Sequence, residues 1–360
     1  MNIGFVSDVV YPFIKGGAEK RIYEMGKRLA ADDEIHIFGV KWWQGANDID
    51  QEGMHVHGIC KPLHLYAGRR RSVREATRFA ANLDKLSAYD IDIIDCSQFP
   101  YLHCFPSKLI SRIKDIPLVI TWHEFWGDYW YQYLGTPGYF GKLIERVTLQ
   151  LADQLIAVSA ATKEILNRYK KDAALVPNGV DIAFIDSVAS AEISIDALFV
   201  GRLISEKNVD LVIRALPAHS TLCIVGDGPE KERLVRLSRE VNARVCFASG
   251  LSYEQLVSIM KASNALVLPS VREGFGIVAL EALACGTPVI TTNAWQNAAK
   301  ELINHGENGF LVSAVVDDIA SALSEVDKQR MSDAAKATAA AFDWNILSVE
   351  LRTVYDSLAQ

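Results

Sequence analysis

The sequence predicts an α/β protein of two doubly wound halves, each a parallel sheet with helices on both faces. Three observations carry this. Short apolar runs of strand type alternate with longer amphipathic runs of helix type. The alternation restarts after the turn signal Pro177-Asn178-Gly179. The length, 360 residues, suits two domains.

In the first half "NIGFVSDV" (2–9) reads as a strand and "GAEKRIYEMGKRLAA" (17–31) as a helix with apolar residues at 22, 25 and 29. "EIHIFGV" (34–40), "DIIDCS" (92–97), "PLVITWH" (117–123) and "QLIAVS" (154–159) read as further strands. "GRRRSVREATRF" (68–79) reads as a helix with Arg70, Arg74 and Arg78 on one face and Arg71 beside them. In the second half the strands are "DALFVGRL" (196–203), "TLCIVGDG" (221–228), "RVCFASG" (244–250), "NALVLPS" (264–270), "PVITT" (288–292) and "GFLVS" (309–313). A loosely patterned linker is expected at 182–193, and "WNILSVELRTVYDSLA" (344–359) reads as an amphipathic helix. Open sheets of this kind bind ligands beyond the carboxyl ends of their strands. With two of them, the expected site is the cleft between.

Composition narrows the function. Half the residues are hydrophobic and 22% are charged, so real cores can form. The net charge of −7 argues against nucleic acid as a partner. The six cysteines have no C-x-x-C spacing and read as buried free thiols of a reducing compartment. Met1 leads straight into a strand, and no run approaches the length of a membrane span. A cytoplasmic protein is expected. No His/Cys ligand cluster is visible, and neither metal nor cofactor is expected.

Motifs at strand ends carry the chemistry. Gly16-Gly17 opens the first helix after the first strand and reads either as a phosphate loop or as a plain turn. In "FVGRLISEKN" (199–208) Arg202 and Lys207 are either a diphosphate clamp or a solvated surface pair. Asp227 in "IVGDGPEKERL" (224–234) serves the turn. His123 ends a strand and precedes an aromatic run, "FWGDYWYQY" (125–133), which either packs or lines an apolar acceptor site. In "EGFGIVALEALACGTPVITT" (273–292), Glu273 precedes a Gly-Phe-Gly turn, Glu281 sits inside an apolar helix, and Gly286-Thr287-Pro288 stops it. That placement suggests that both carboxylates face polar partners near a helix N-terminus. The arginines at 70, 71, 74 and 78 read as a solvated face, with anionic lipid as the alternative partner.

Taken together, Gly16-Gly17-Ala18-Glu19, His123, "PNGVD" (177–181), "GRLISEKN" (201–208), "GDGP" (226–229) and "EGFGIVALEALACGTPVI" (273–290) resemble the retaining glycosyltransferases of family 4, which have the GT-B fold. The resemblance runs from the first strand to the last helix. It implies two Rossmann-like domains facing across a cleft, over 1–181 and 190–343, with helix 344–360 crossing back to the first. It implies a nucleoside-diphosphate-sugar donor and a glycan or lipid-linked acceptor. Glu273, Phe275, Gly276 and Ile277 would meet the donor sugar, and Glu281 the ribose. Arg202 and Lys207 would clamp the diphosphate, Gly16 and Gly17 would form the phosphate loop of the first domain, and His123 would lie near the reacting carbon. Ser249, Gly250 and Leu251 would meet the base.

The implied chemistry is front-side displacement with retention, the leaving phosphate taking the acceptor proton; Glu273 as a covalent nucleophile is the competing mechanism. The run "NAWQNAAKELI" (293–303) departs from the family in lacking a Gly-Gly turn, so Trp295 and Gln296 would narrow the donor pocket or face the acceptor. Two other readings share this architecture: a nucleotide-sugar epimerase, and a non-catalytic nucleotide-sugar-binding subunit.

Overall fold

The structure is a computed structural model that describes residues 1–67, 70–169 and 172–358. The chain divides into two compact units, Met1–Asn178 with Trp344–Gln360, and Gly179–Asp343.

The first unit runs β1 (Asn2–Val6), α1 (Gly17–Leu29), β2 (Glu34–Val40), β3 (Asp48–Gln51), β4 (Met54–Cys60), β5 (Tyr66–Ala67), β6 (Arg70–Arg71), α2 (Val73–Ala81), β7 (Ile93–Ser97), α3 (Cys104–Lys114), β8 (Leu118–Trp122), α4 (Tyr129–Leu134), α5 (Gly138–Thr148), β9 (Gln154–Ala157), α6 (Ala160–Arg168) and β10 (Ala173–Leu175). Its sheet has the order β10-β9-β8-β7-β1-β2-β4-β3, parallel except for the β3–β4 hairpin. The strand order reverses between β1 and β7, which marks their carboxyl ends as the place for a ligand.

The second unit runs α7 (Ile182–Ser187), β11 (Ile195–Val200), α8 (Val209–Ala215), β12 (Thr221–Val225), α9 (Lys231–Glu240), β13 (Arg244–Ala248), α10 (Tyr253–Ala262), β14 (Ser263–Leu268), β15 (Arg272–Glu273), α11 (Ile277–Ala284), β16 (Val289–Thr292), β17 (Gln296–Asn297), β18 (Gly309–Val312), α12 (Val316–Glu325) and α13 (Lys328–Ala340). Its main sheet is wholly parallel, in the order β13-β12-β11-β14-β16-β18. The reversal falls between β11 and β14. Strands buried on both faces need near-continuous apolar sequence, as in "IDALFV" and "SNALVL".

The last helix, α14 (Trp344–Asp356), belongs to the first unit. Arg352 grips Asp33 with two bonds from Nη1, at 2.9 and 3.0 Å, and the Met1 ammonium meets the same carboxylate at 2.7 Å. The Tyr355 hydroxyl donates to buried Asp95 on β7 at 2.5 Å. Burial holds the Asp95 carboxyl above its usual range, against the pull of Tyr355, Thr121 and Arg21. No described helix is long and apolar enough to cross a membrane.

Three sequence expectations need correction, and one hairpin adds to them. The helix expected over 68–79 begins only at Val73, because the Ser72 hydroxyl caps it by accepting from the Glu75 amide at 3.3 Å. Arg70 and Arg71 instead pair with Ala67 and Tyr66 in a short hairpin, while Gly68 and Arg69 lie outside the described residues. The linker expected from 182 opens with α7, whose cap Asp181 accepts from the Phe184 amide at 2.9 Å. Cys246 is exposed on the edge strand β13, whereas the other five thiols are buried. The β3–β4 hairpin was unforeseen, since His55 and His57 opposite Asp50 and Asp48 hide its apolar face.

Candidate functional site

In the second unit, two backbone turns lock together at the carboxyl ends of β11 and β12. The Gly201 amide donates to Val225 O at 3.0 Å and the Leu203 amide to Asp227 O at 2.8 Å. A Cβ on Gly226 would fall 1.9 Å from Gly201 O, so no larger residue fits there. Asp227 accepts from the Gly228 amide at 2.7 Å, which is its turn role. The interlock holds exposed Arg202 at the strand end.

Lys207 closes a single 3-10 turn, Ser205–Lys207. Asn208 follows in the left-handed region, with φ of 48°, and its side-chain amide donates to Pro269 O at 3.1 Å. Both demands suit asparagine, which tolerates that conformation and carries a side-chain amide donor. The tie carries the turn over to the end of β14. There the Lys207 ammonium donates to the Glu273 carboxylate.

Glu273 is itself fixed. β15 pairs with β17, setting Glu273 opposite Asn297. Asn297 is fully buried, and its side-chain amide donates to Thr291 Oγ1 at 2.9 Å and Thr292 O at 2.8 Å. Nothing in the sequence pattern singled out Asn297 or Asn208 as positioning residues. The glycine-poor run at 293–303 therefore has a structural use as the strand that braces Glu273. Trp295 beside it is 71% exposed.

α11 begins at Gly276, whose φ is 87°. A Cβ there would meet the Ala299 methyl at 2.5 Å. Phe275 is buried edge-on against Phe342, centroids 6.0 Å apart, and Ile277 opens the helix. Glu281 lies in the second turn rather than at the N-terminus, and is buried. Burial, with Glu281 nearby, pushes the Cys285 thiol up to about 12. The helix ends in a left-handed glycine cap: the Gly286 amide donates to Leu283 O at 2.9 Å and the Thr287 amide to Ala282 O at 2.8 Å. Ser249, Gly250 and Leu251 form the open bend between β13 and α10.

The first unit holds the remaining predicted residues. Gly16 and Gly17 are exposed at the start of α1, but Glu19 in the first turn is buried against them. A Cβ on Gly16 would lie 2.7 Å from a Glu19 carboxylate oxygen. A carboxylate of the chain itself thus already faces that positive helix end. His123 follows β8, its amide donating to Gln98 Oε1 at 3.0 Å. The residue as a whole is half-buried, and its Nε2 is sealed and makes no hydrogen bond within the described residues, as is also true of Arg21 Nη2. Both side chains border a cavity of about 10 Å³ with Asp95 and Thr121. Burial, with the Arg21 cation nearby, pushes His123 down to about 3, so its imidazole is neutral at ordinary pH.

The aromatic run after His123 packs. Trp126 and Trp130 are buried, and the fully buried Glu145 carboxylate accepts from the Trp126 and Gly127 amides at 2.8 Å and from the Tyr101 hydroxyl at 2.9 Å. Arg71 is not part of a solvated stripe either, since its guanidinium pairs with buried Asp8. One described cluster has metal-ligand spacing, buried Cys96, His103 and Cys104, which the sequence reading missed. Burial holds the Cys96 thiol far above its usual range, and Cys96 and Cys104 bond one another and the Ser97 carbonyl.

Fold and strand-end groups together define a glycosyltransferase of the GT-B class. Two family models match in succession, Glycosyltransferase Family 4 over residues 15–184 and Glycosyl transferases group 1 over residues 183–343. The chain belongs to this family of glycosyltransferases. It is similar to the glycogen synthase of Mycobacterium tuberculosis, 28% identical over 99% of this chain and 94% of that protein. Among solved structures it resembles the sucrose-phosphate synthase of Thermosynechococcus elongatus, with TM-score 0.83 at 22% identity, covering 99% of this chain and 98% of that one. The Anabaena protein HepE, solved in complex with UDP-glucose, matches with TM-score 0.75 at 21% identity over 99% and 100% of the two chains.

Two predictions follow from this geometry. A histidine held neutral below its unfolded pKa contributes stability above pH 6.5 that is lost as pH falls toward about 3. Urea unfolding of His123→Gln should therefore lack a destabilisation of about 1.4 kcal/mol per pH unit that the wild type shows below that pH. Equal slopes for both proteins would contradict the neutral imidazole. For Gly276→Ala, backbone strain and the clash with Ala299 together should cost more than about 2 kcal/mol in thermal unfolding. An unchanged melting temperature would show that the α11 cap does not need glycine.

Proposed function

We propose that this chain moves a sugar from a nucleoside-diphosphate-sugar donor to a hydroxyl of a glycan or lipid-linked acceptor, in the cytoplasm, with retention of configuration and without a metal or other cofactor. The observation that carries the reading is the Lys207 ammonium held on the Glu273 carboxylate at the β11/β14 reversal. A cation fixed there is preorganised for negative charge that grows on a leaving diphosphate.

The step breaks the bond between the anomeric carbon and the phosphate oxygen. Arg202 offers a planar fork of donors to that diphosphate and Lys207 a point charge. The N-terminal end of α11 adds partial positive charge. The acceptor oxygen attacks from the face the diphosphate leaves, and a phosphate oxygen takes its proton, so charge and protons balance.

Glu273 serves to hold Lys207 and sugar hydroxyls together. A carboxylate already accepting an ammonium hydrogen bond is a poorer covalent nucleophile, which favours front-side displacement. Phe275, Gly276 and Ile277 present backbone to the sugar, Glu281 takes the ribose hydroxyls, and Ser249, Gly250 and Leu251 take the base. Neutral His123 suits an uncharged hydroxyl rather than a phosphate. Gly16 and Gly17 can receive phosphate only if Glu19 withdraws. UDP-glucose in HepE and the glycan product in the name of the glycogen synthase support this donor and acceptor class.

Glu273→Gln and Lys207→Ala should each lower sugar transfer at least a hundredfold at unchanged melting temperature, with EDTA leaving the wild-type rate unaltered. Full activity in both variants would overturn the reading. A changed sugar after incubation of donor with no acceptor would mark an epimerase instead.

A further inference from the structure

The helices α2, α3 and α5 lie on one face of the first unit. The connections from β7 to β8 and from β8 to β9 join adjacent parallel strands in one direction, and right-handed crossovers put their helices on the same side. Tyr101, just before α3, bonds Glu145 of α5, and Lys108 of α3 donates to Asp153 beyond α5 at 2.7 Å. On the other flank, Phe79 of α2 meets the His103 ring with centroids 5.4 Å apart.

Two of these helices turn apolar stripes to solvent. On α3 the stripe is Phe105, Leu109 and Ile113, four residues apart, with Leu109 60% and Ile113 72% exposed. On α5 it is Tyr139, Phe140, Leu143 and Val147, with Phe140 65% exposed. Each stripe lies opposite the packed face of its helix, so neither belongs to the core. Contiguous exposed apolar surface of this kind marks an interaction site.

Charge says what the partner is. The only carboxylates on the three helices, Glu75 and Glu145, are buried. Their accessible positions carry Arg74, Arg78, Arg112, Lys142 and Arg146. In a chain of net charge −7 the accessible charges on these three helices are thus all cationic, and the exposed acids stay in the turns, Asp115 after α3, Asp128 before α4 and Asp153 after α5. Lys142 is paired with Asp128, whereas Arg112 makes no described bond.

We propose that this face docks on an anionic lipid bilayer. The α3 and α5 stripes enter the boundary between headgroups and acyl chains, and the arginines rest on lipid phosphates. Apolar stripes with cations along one side are what an interfacial helix requires. A second copy of the chain fits less well, because a two-fold contact would set Arg112 and Arg146 among like charges. The proposal does not depend on which donor the enzyme uses.

Flotation of the full chain with vesicles tests it. Phosphatidylcholine vesicles with about a third phosphatidylglycerol should bind about ten times more protein than neutral ones, and salt should reduce the difference. Phe140→Asp with Leu143→Asp, at exposed positions, should lose about tenfold on the anionic vesicles at unchanged melting temperature. Arg112→Glu with Arg146→Glu should abolish the preference for anionic lipid. Equal binding to both vesicle types, or variants that bind like the wild type, would overturn the proposal. So would sedimentation showing that the aspartate variant turns a dimer into a monomer.

Discussion

Lys207 and Glu273 stand 66 residues apart in the chain and share a hydrogen bond. Both side chains are less than one-fifth exposed. Withdrawing two opposite charges from water costs free energy that their attraction only partly returns. Such a pair is a weak device for stability. It is a good device for keeping an ammonium aimed at one place. The surrounding structure serves that end. Asn208 ties the lysine turn to Pro269, Asn297 braces the strand under the glutamate, and Gly276 lets α11 begin immediately beyond it. Asn208 and Asn297 act through their side-chain amides and Gly276 through its backbone, so the two charges are held in place.

The first unit solves a different problem with the same materials. Arg21 is buried, and burial pulls its pKa down to about 10. It bonds the Pro177 carbonyl at 2.5 Å and Asn178 at 3.3 Å, and it lies within reach of Asp95, which Tyr355 of α14 also holds. The last helix is therefore tied into the polar centre beneath His123. The same arginine helps to keep His123 neutral. Polar burial here is costly; Asp95 finds partners in Tyr355 and Thr121, whereas Arg21 Nη2 and His123 Nε2 make no hydrogen bond within the described residues.

Much of this was legible from sequence, because period and turn chemistry agree with the fold. The strand starts at Asn2, Glu34, Thr221 and Arg244 match the reading, since continuous apolar runs have no competing use in a parallel sheet. The strands end sooner than their sequence pattern suggests, before Ser7, Gly201 and Ser249, because these residues beyond the sheet are small and do not break the pattern. The helical arginine stripe failed for a local reason: Ser72 is a stronger helix start than the arginine spacing is a helix signal. The Gly-Phe-Gly motif and E-K-N were visible as chemistry, but not their supports. Asn297 sits in a run with no periodicity, and its role depends on a pairing between β15 and β17 that no local pattern encodes. The exposed stripes on α3 and α5 were hidden because an amphipathic period alone does not say which side is buried.

Binding of nucleoside diphosphates bears most directly on the central claim that a fixed cation, not a metal, receives the donor. Thermal unfolding would be followed with UDP, GDP and ADP, with and without EDTA, for the wild type and for Lys207→Ala. A saturating ligand stabilises by about 2.7 kcal/mol at one hundred times its dissociation constant. The expected result is stabilisation by one nucleoside diphosphate that EDTA leaves unchanged and that Lys207→Ala loses. Stabilisation that vanishes with EDTA, or that persists without Lys207, would contradict the claim.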